Sequence, residues 1–369
     1  MNRLPASETL VLVGTYTSGE SGSKGIYRMW LNPETGALST PEVAAETTDP
    51  SFLALHPTKR VVYAVNETDT FGGQTGDKAT GGVTAFTIGE AGELKKLNDQ
   101  PSLGKHPCYI AIDRSGALAL VANYSGGNVA ALPLDADGRL QPGRAQQHTG
   151  SSVNKDRQKG PHAHSIDPDP SNRYALSADL GIDKVLVYKL DSKTQTIAPN
   201  DPPSASIAPG SGPRHIAFDP KGRTAYVINE LTSTVTVLAW DAEKGTLRDV
   251  QTISALPDGY DRRSYSGEIE VHPSGRLVFV SNRGHNSLAI FKVDQESGRL
   301  TLAGHQSTGG DWPRNFATDP SGRFLLAANQ RSVSIVVFRV DVDRATLTPT
   351  GVSAGVPAPA SIRFIAAKS

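Results

Sequence analysis

The sequence is poor in the features that mark several large classes of protein. It holds a single cysteine, Cys108, so it can form no internal disulfide and has no cysteine pair at zinc-ligand spacing. Lysine plus arginine and aspartate plus glutamate both number 37, so the formal net charge is zero. No basic excess therefore points to nucleic acid or to an anionic membrane, and any functional charge must be local.

A long hydrophobic run is also missing. The opening stretch MNRLPASETLVLVGTY has an apolar run that is too short for the core of a signal peptide and much too short for a membrane span. We expect no membrane contact and a cytoplasmic location, which becomes periplasmic if a leader has been removed. The lone cysteine fits a reducing compartment.

Motifs of several enzyme classes do not occur. There is no G-x-S-x-G elbow, no G-x-x-x-x-G-K-[ST] loop and no H-E-x-x-H helix, so serine-hydrolase, nucleotide-binding and metalloprotease functions lack support. Strong helical periodicity is absent too, which argues against the α classes.

What the sequence does contain is an internal repeat. Six similar stretches recur at spacings of about fifty residues. They are SFLALHPTKRVVYAVNE, CYIAIDRSGALALVANY, HAHSIDPDPSNRYALSADL, PRHIAFDPKGRTAYVINE, EIEVHPSGRLVFVSNR and PRNFATDPSGRFLLAANQ. Each alternates apolar and polar residues about a Pro-, Gly-, Ser- or Asp-rich turn and is followed by another pair of β-rich runs, which makes four strands per unit.

The two ends of the chain supply one more unit. LVLVGTY, GIYRMWLN and ALSTPEVAA are three strands without a first strand, and PASIRFIA is a first strand with nothing after it. We predict an all-β, seven-bladed β-propeller with four-stranded antiparallel blades, forming a single domain over residues 1–369. Its first blade combines residues 8–47 with residues 357–366, so that the C-terminal strand joins the N-terminal blade and closes the ring.

The ends of each inner hairpin should lie on one rim, which we call the upper rim. Folding the chain about Gly222 places Arg214 opposite Glu230, because each lies eight residues from that turn. The same count places His164 near Asp179, Glu268 near Arg283, Arg314 near Gln330, and Pro107 near Asn123 and Tyr124. The upper rim therefore collects the ionisable side chains, whereas the opposite, lower rim carries ordinary turns such as DPKG.

Long connections are predicted on the same rim. They cover residues 68–82, 144–160 and 256–267, and the last two are rich in arginine and lysine, which suits an anionic substrate. The Gly-rich TSGESGSKG is interpreted only as a strand connection.

At these positions the sequence resembles the seven-bladed lactonase-type propellers, which include one class of bacterial 6-phosphogluconolactonase and the fungal carboxymuconate-lactonising enzymes. The resemblance covers nearly the whole chain. The stretches that carry it are GTYTSG, GIYRMWLN, NYSGGNV, GSSVNKDRQKGPHAHSIDPD, GPRHIAFDP, YVINEL, FVSNRGHNSLAIF and PRNFATDPSGRFLLAANQ.

The resemblance implies a site at the mouth of the ring. Catalytic roles are implied for His164 in PHAHS, Arg214 in GPRH, Glu230 in INEL and Arg283 in SNRG. Substrate-binding roles are predicted for His162, Arg157, His215, Arg314 and Gln330. No cofactor and no metal are expected, because His162 and His164 share a strand face without a carboxylate or cysteine at clear ligand spacing. Cys108 is predicted to be a small buried filler.

These groups suit opening of a sugar-acid lactone, with 6-phosphogluconolactone as the leading substrate. Arg214 and Arg283 would stabilise the oxyanion, His164 is favoured as general base or acid, and Glu230 would orient Arg214 or the water. Three alternatives stay open: a carboxymuconate-type cycloisomerase, a non-catalytic propeller that binds a ligand or protein on the same rim, and a structural Arg214–Glu230 ion pair. The expected partner is a small anionic lactone, with no nucleic acid, and the chain is expected to be a monomer or weak homo-oligomer.

Overall fold

The computed structural model describes residues 8–365, which form twenty-eight β-strands and two short 3₁₀ helices, Phe71–Gly73 and Gly76–Lys78. The first fourteen strands are Thr9–Thr15 (β1), Gly25–Leu31 (β2), Glu42–Glu46 (β3), Leu53–Leu55 (β4), Val61–Asn66 (β5), Gly82–Ile88 (β6), Leu94–Pro101 (β7), Pro107–Ile112 (β8), Leu118–Asn123 (β9), Asn128–Pro133 (β10), Arg144–Gln147 (β11), Ala163–Pro168 (β12), Tyr174–Asp179 (β13) and Lys184–Asp191 (β14). The remaining strands are Thr196–Ser206 (β15), Pro213–Phe218 (β16), Thr224–Asn229 (β17), Thr234–Asp241 (β18), Thr246–Ser254 (β19), Tyr265–Val271 (β20), Leu277–Arg283 (β21), Ser287–Val293 (β22), Leu300–Ser307 (β23), Pro313–Thr318 (β24), Phe324–Asn329 (β25), Ser334–Asp341 (β26), Thr346–Gly355 (β27) and Pro359–Ile365 (β28). No helix among residues 8–365 is long and apolar enough to cross a membrane.

The strands form seven antiparallel sheets of four, which are the blades of a propeller. Blade 1 has the order β28-β1-β2-β3, and blades 2 to 7 take the following strands in consecutive fours from β4–β7 to β24–β27. The prediction of a seven-bladed propeller closed by the C-terminal strand is confirmed, since Leu10 pairs with Ile365 and Val13 with Ile362. Residue 366, the predicted end of the composite blade, lies outside the described residues.

The hydrophobic core lies between neighbouring blades, as strand β17 illustrates. All six residues of this strand are buried. Val227 packs in one cluster with Val185 of blade 4, whereas Tyr226 and Ile228 belong to another cluster with Val280 of blade 6. Successive side chains of a strand point to opposite faces, so one inner strand fills the two gaps on either side of its blade. Each blade thus needs both neighbours to bury its faces.

The lower rim is made of tight turns whose polar residues satisfy the backbone. In the DPKG turn, Asp219 Oδ1 accepts N–H groups from Arg223 and Thr224 at 2.6 Å, and Gly222 adopts φ 65°. His272 replaces aspartate in blade 6, where its Nδ1 accepts the N–H of Ser274 at 3.1 Å. These residues belong to the scaffold and leave chemistry to the upper rim.

Candidate active site

One ring of side chains at the channel mouth is produced by β-bulges in the inner strands. In blade 5, Pro213 pairs with Asn229 and His215 pairs with Ile228, which leaves Arg214 as an extra residue between them. Equivalent register shifts leave Cys108, His164 and Arg314 unpaired in blades 3, 4 and 7. A bulge re-aims the side chain of its extra residue, so these residues form what we call the bulge ring.

A second ring, the corner ring, lies at the end of the second strand in each blade or directly after it. Its members are Tyr16, Glu67, Tyr124, Leu180, Glu230, Arg283 and Gln330. In five blades a buried asparagine precedes the ring residue. Asn282, for example, donates from Nδ2 to the carbonyl oxygen of Ala255 at 2.7 Å and accepts from Ser266 Oγ at 3.0 Å. The asparagine fixes the corner and thereby the direction of the next side chain.

The two rings surround a cavity of about 600 Å³. Its lining consists of Tyr16, Ser18, Ser21, Glu67, Cys108, Tyr124, Arg157, His164, Glu230, Tyr265, Arg283, Trp312, Arg314, Gln330, Arg331 and Ala358. Four arginines therefore face two glutamates, and the cavity carries an excess of positive charge. An anionic ligand is attracted to such a site.

Glu230 is the carboxylate around which the site is organised. It is only 5% exposed and accepts hydrogen bonds from three guanidinium groups. Arg283 Nη2 donates to Oε2 at 2.8 Å, Arg214 Nε donates to the same oxygen at 3.2 Å, and Arg157 Nη2 donates to Oε1 at 2.8 Å. The structure thus brings together Arg214 and Glu230, and adds the two other arginines to that pair.

The arginines keep Glu230 ionised despite its burial. Burial alone would raise the pKa of Glu230, but the three guanidinium charges outweigh it and hold the pKa well below its usual value. Burial in turn lowers the pKa of Arg283 to about 10, with Glu230 opposing that effect. At neutral pH the group is a carboxylate surrounded by cations, which is a poor proton acceptor.

His164 has the opposite electrostatic character. Burial, the positive charge of Arg214 and the neighbouring His215 lower the pKa of His164 well below its usual value, so the ring is neutral at neutral pH. Its Nδ1 lies 3.6 Å from Cys108 Sγ and its Nε2 lies 3.9 Å from Glu230 Oε2. A neutral imidazole with one nitrogen facing the cavity can accept a proton.

Three of the predicted substrate-binding residues line the cavity: Arg157, Arg314 and Gln330. His162 does not line it and instead stacks on Tyr124, with ring centroids 4.5 Å apart.

His215, for which the sequence analysis predicted a substrate-binding role, is not part of the cavity lining. It follows the bulge and points into the channel below the cavity, where it is 2% exposed and its Nδ1 lies 2.7 Å from Glu268 Oε1. The residue does not reach the cavity. Arg214 is equally buried and lies beneath Glu230, where Nη1 also donates to the carbonyl oxygen of Gly267.

Two register predictions also need correction. Arg283 pairs with Tyr265 and not with Glu268, because strand β20 begins three residues before Glu268 and contains a bulge. Asp179 pairs with Ala163, and its carboxylate turns away to the buried His148, whose Nδ1 lies 2.6 Å from Oδ2. A bulge shifts the register by one residue and is not visible when a hairpin is counted from its turn. The three-residue error at Glu268 also reflects the start of the strand at Tyr265.

Several cavity residues were missed by sequence reasoning. Ser18 and Ser21 lie in the Gly-rich stretch that was interpreted only as a connection, and both line the cavity. Other residues that were missed are Tyr16, Glu67, Tyr265, Trp312 and Arg331. A usable signal existed for the corner ring, because its members follow the asparagine in VNE, ANY, INE, SNR and ANQ. Arg262 and Arg263, in the third long connection, are exposed and do not line the cavity.

Cys108 is buried, as predicted, but its side chain also lines the cavity. Burial raises the pKa of its thiol, so the group stays protonated beside His164. Within residues 8–365 no cluster of three His, Cys, Asp or Glu side chains is arranged to hold a metal ion.

The comparisons with known proteins agree with this architecture. The chain matches the family model described as "Lactonase, 7-bladed beta-propeller" over residues 10–364. It is 41% identical over 309 residues to the 6-phosphogluconolactonase of Bacillus subtilis (strain 168), which covers 83% of this chain and 84% of that protein.

Solved structures give the same result. The periplasmic gluconolactonase of Pseudomonas aeruginosa superimposes with a TM-score of 0.90 at 36% identity, covering 98% of this chain and 100% of that one. A putative 6-phosphogluconolactonase from Bacteroides fragilis gives a TM-score of 0.89 at 36% identity, covering 98% of both chains. The family match and these identities over most of the sequence show that the chain belongs to the lactonase family of seven-bladed β-propellers.

Proposed function

We propose that this protein hydrolyses 6-phosphogluconolactone to 6-phosphogluconate. The observation that carries the proposal is the pairing of a neutral His164 with an ionised Glu230 in a cavity lined by four arginines. Support for lactone opening comes from relatives named 6-phosphogluconolactonase and gluconolactonase.

The proposed first step is attack by water on the lactone carbonyl. His164 Nε2 and Glu230 Oε2 are 3.9 Å apart, so one water oxygen fits within hydrogen-bond distance of both. His164 takes a proton from the water while the water oxygen forms a bond to the carbonyl carbon. The carbonyl electrons move to oxygen and give a tetrahedral oxyanion. When the intermediate collapses, the bond from carbon to the ring oxygen breaks and His164 returns the proton to that oxygen.

Guanidinium groups are suited to stabilise the oxyanion. Arg283 and Arg157 line the cavity next to Glu230, and both carry donors beyond those that the carboxylate uses. Arg214 lies beneath Glu230 and is buried, so we assign it to positioning Glu230 and to keeping His164 neutral. The amide oxygen of Gln330 is buried, has no hydrogen-bond partner among residues 8–365, and can accept a hydrogen bond from a sugar hydroxyl.

A propeller that only binds another protein is less well supported. Among the described residues the large exposed hydrophobic side chains are Val43, Leu103, Val153 and Val333. A docking rim requires a broad apolar patch, whereas the lining of the cavity is dominated by charged and hydroxyl-bearing groups.

The test follows acid release from 6-phosphogluconolactone with spontaneous hydrolysis subtracted. We expect His164→Ala to lower kcat by about 10²- to 10⁴-fold, since that is the usual contribution of a general base. Glu230→Gln should lower kcat/KM at least about 10-fold, because three guanidinium groups lose the charge that orients them. EDTA should leave the rate unchanged.

The matched control is Glu243→Gln, which removes an exposed carboxylate that is also paired with an arginine, Arg173, on the lower rim. This variant should keep the wild-type rate. A wild-type protein that does not exceed spontaneous hydrolysis overturns the proposed substrate. Full activity in both site variants overturns the assigned residues and leaves Arg214–Glu230 as a structural ion pair.

We also infer that the protein acts in the cytoplasm, because a phosphorylated lactone is charged and does not cross a lipid bilayer freely. One similar protein is a periplasmic gluconolactonase, so the compartment has to be measured. Fractionation of cells that produce the full-length protein, with enzymes of known compartment as markers, checks it.

A further inference from the structure

The arginines of the cavity divide into two groups by what they already bind. Arg157 and Arg283 donate to Glu230, and Arg157 also donates to the hydroxyl of Tyr124 at 3.0 Å. Arg314 and Arg331 have no carboxylate partner among residues 8–365. The first group is part of the Glu230 network, whereas the second brings guanidinium groups into the same cavity that no carboxylate of residues 8–365 contacts directly.

Arg314 is a half-buried guanidinium held by one neutral partner. Its Nη2 donates to Tyr16 Oη at 2.6 Å, and that hydroxyl donates to Glu67 Oε2 at 2.7 Å. Ser51 Oγ also donates to Glu67, so the carboxylate is occupied by two hydroxyl groups. A guanidinium has five N–H donors, and most of those on Arg314 have no acceptor among residues 8–365. Burial would lower the pKa of Arg314, but the neighbouring Tyr16, Glu67 and Glu230 raise it, so the group stays a cation whose remaining donors can bind an anionic ligand.

Arg331 is fixed by an aromatic ring. Its guanidinium carbon lies 3.6 Å from the ring centroid of Trp312, and the side chain makes no hydrogen bond or ion pair within the described part of the chain. Stacking on tryptophan restrains the long side chain while leaving the edge of the guanidinium, with its donors, free. Arg331 and Arg314 belong to the same blade and both line the cavity beside Ser18 and Ser21.

Trp312 also links Arg331 to the Glu230 network. The guanidinium carbon of Arg283 lies 5.5 Å from the same ring centroid. Arg331 and Arg283 are therefore within about 9 Å of each other, the largest separation that the two distances to one centroid permit. A small sugar derivative can contact both groups at once.

We propose that Arg331 and Arg314 form a subsite for the phosphomonoester of the substrate within this cavity. The inference deepens the proposed function and rests on it. A phosphomonoester carries nearly two negative charges and three acceptor oxygens, and planar guanidinium groups bind it through paired N–H donors. The subsite selects the phosphorylated lactone over the free sugar lactone and directs the carbonyl carbon toward Glu230 and His164.

The test measures binding of reaction products, which needs no catalysis. Titration calorimetry compares 6-phosphogluconate, gluconate and glucarate, which carries a carboxylate in place of the phosphate ester. We expect wild-type protein to bind 6-phosphogluconate most tightly. Arg331→Ala should weaken that affinity about 10- to 100-fold, the range of charge-assisted hydrogen bonds, and should leave the affinity for gluconate unchanged. Arg331→Lys should restore only part of the loss, because ammonium cannot bind phosphate through two parallel donors.

The matched control is Arg339→Ala. Arg339 is an exposed arginine of the same blade that also stacks on an aromatic ring, with its guanidinium carbon 4.7 Å from the centroid of Phe324, and it does not line the cavity. This variant should bind all three ligands like the wild type. Arg314→Gln, with its fold checked by a thermal melt, should behave as Arg331→Ala does.

The subsite is overturned if wild-type protein binds gluconate as tightly as 6-phosphogluconate, if it binds glucarate more tightly, or if Arg331→Ala weakens all ligands equally. The proposed reaction fails separately, when wild-type protein that binds 6-phosphogluconate does not accelerate hydrolysis of its lactone. In kinetics, the subsite predicts that Arg331→Ala raises KM for the phosphorylated lactone by a larger factor than it lowers kcat, whereas Arg339→Ala changes neither.

Discussion

At the scale of single residues, the site depends on two buried groups with different charge states, a neutral His164 and an ionised Glu230. His164 and Glu230 are both about 5% exposed, so burial penalises the charged form of each. Three arginines that donate to Glu230 overcome this penalty for the carboxylate. Within the described part of the chain no carboxylate comes closer than 3.9 Å to His164, and the positive charge of Arg214 adds to the effect of burial in lowering its pKa. Their environments thereby leave the imidazole neutral and keep the carboxylate ionised, which gives the two groups different roles.

The lowered pKa of His164 predicts an unusual pH profile. The neutral ring is the active form, and its pKa lies well below 6.5, so kcat/KM should stay constant from about pH 8 down to about pH 6 and fall only at lower pH. Arg214→Gln removes a positive charge next to the ring and should move the acid limb of the profile to higher pH. The measurement is a pH–rate profile, corrected for spontaneous hydrolysis.

The control for this shift is Arg173→Gln, an exposed arginine on the lower rim, which should leave the acid limb in place. An acid limb centred near pH 6.5 in the wild type contradicts the assignment of His164. An unmoved limb in Arg214→Gln shows that Arg214 acts on the site through structure alone.

At the scale of strands and turns, the bulge ring and the corner ring decide which side chains reach the cavity. Strand pairing and alternation are visible in sequence, and the Arg214–Glu230 contact follows from them. Neither a bulge nor the first residue of a strand is visible in the sequence. For this reason Glu268 was predicted beside Arg283, whereas it lies in the channel below. The corner ring is marked by its preceding asparagine, whose buried amide replaces a backbone partner at the blade edge.

The buried asparagines that precede members of the corner ring should contribute both to the stability of the fold and to activity. Asn282→Ala removes one of the two donors to the carbonyl oxygen of Ala255, which keeps His305 Nε2 at 2.9 Å, and takes the acceptor from the buried hydroxyl of Ser266. The loss should cost about 1–3 kcal/mol of unfolding free energy. It should also lower kcat, because Arg283 is the next residue. Denaturant unfolding and the lactonase assay measure the two effects. Ser307→Ala, at an exposed position of the same blade, should change neither, and an unaltered Asn282→Ala protein contradicts the role of the corner.

At the scale of the whole molecule, inner strands of several blades bring acidic groups together at the lower end of the channel. A second cavity of about 460 Å³ there is lined by Glu268, Glu270 and Arg363, and Asp167 lies nearby with its Oδ1 accepting from Tyr109 Oη at 2.8 Å. Burial raises the pKa of Asp167 to about 7 and that of Glu270 to about 7, with Glu268 adding to both effects. These groups are remote in sequence and carry no local signal.

The raised pKa values predict how stability depends on pH. The folded protein holds protons on Asp167 and Glu270 that the unfolded chain releases, so stability should fall as the pH rises from about 4 to about 7. The double variant Asp167→Asn, Glu270→Gln keeps the hydrogen-bond acceptors and should reduce this slope to the part contributed by Glu268, whose pKa burial also raises. At pH 8 it should be more stable than wild type by about 1–3 kcal/mol, after allowance for partial exposure.

Thermal melts across this pH range measure the effect, and the exposed Glu34→Gln is the control that should follow the wild type. A double variant with the same slope as wild type contradicts the raised pKa values. Loss of stability in the double variant at every pH shows that the ionised carboxylates are required in the channel.

The sequence by itself determined the repeat, the number of blades and the closure of the ring, because period-2 alternation and Gly- or Asp-rich turns act over a few residues and recur in every unit. It also indicated that Arg214 meets Glu230. The tertiary structure decided the rest. It determined the burial of His215 and left Arg314 and Arg331 in the cavity without a carboxylate partner among residues 8–365. Charge state, exposure and hydrogen-bond partners depend on which blades meet at the mouth, and residues hundreds of positions apart meet there only after the ring has closed.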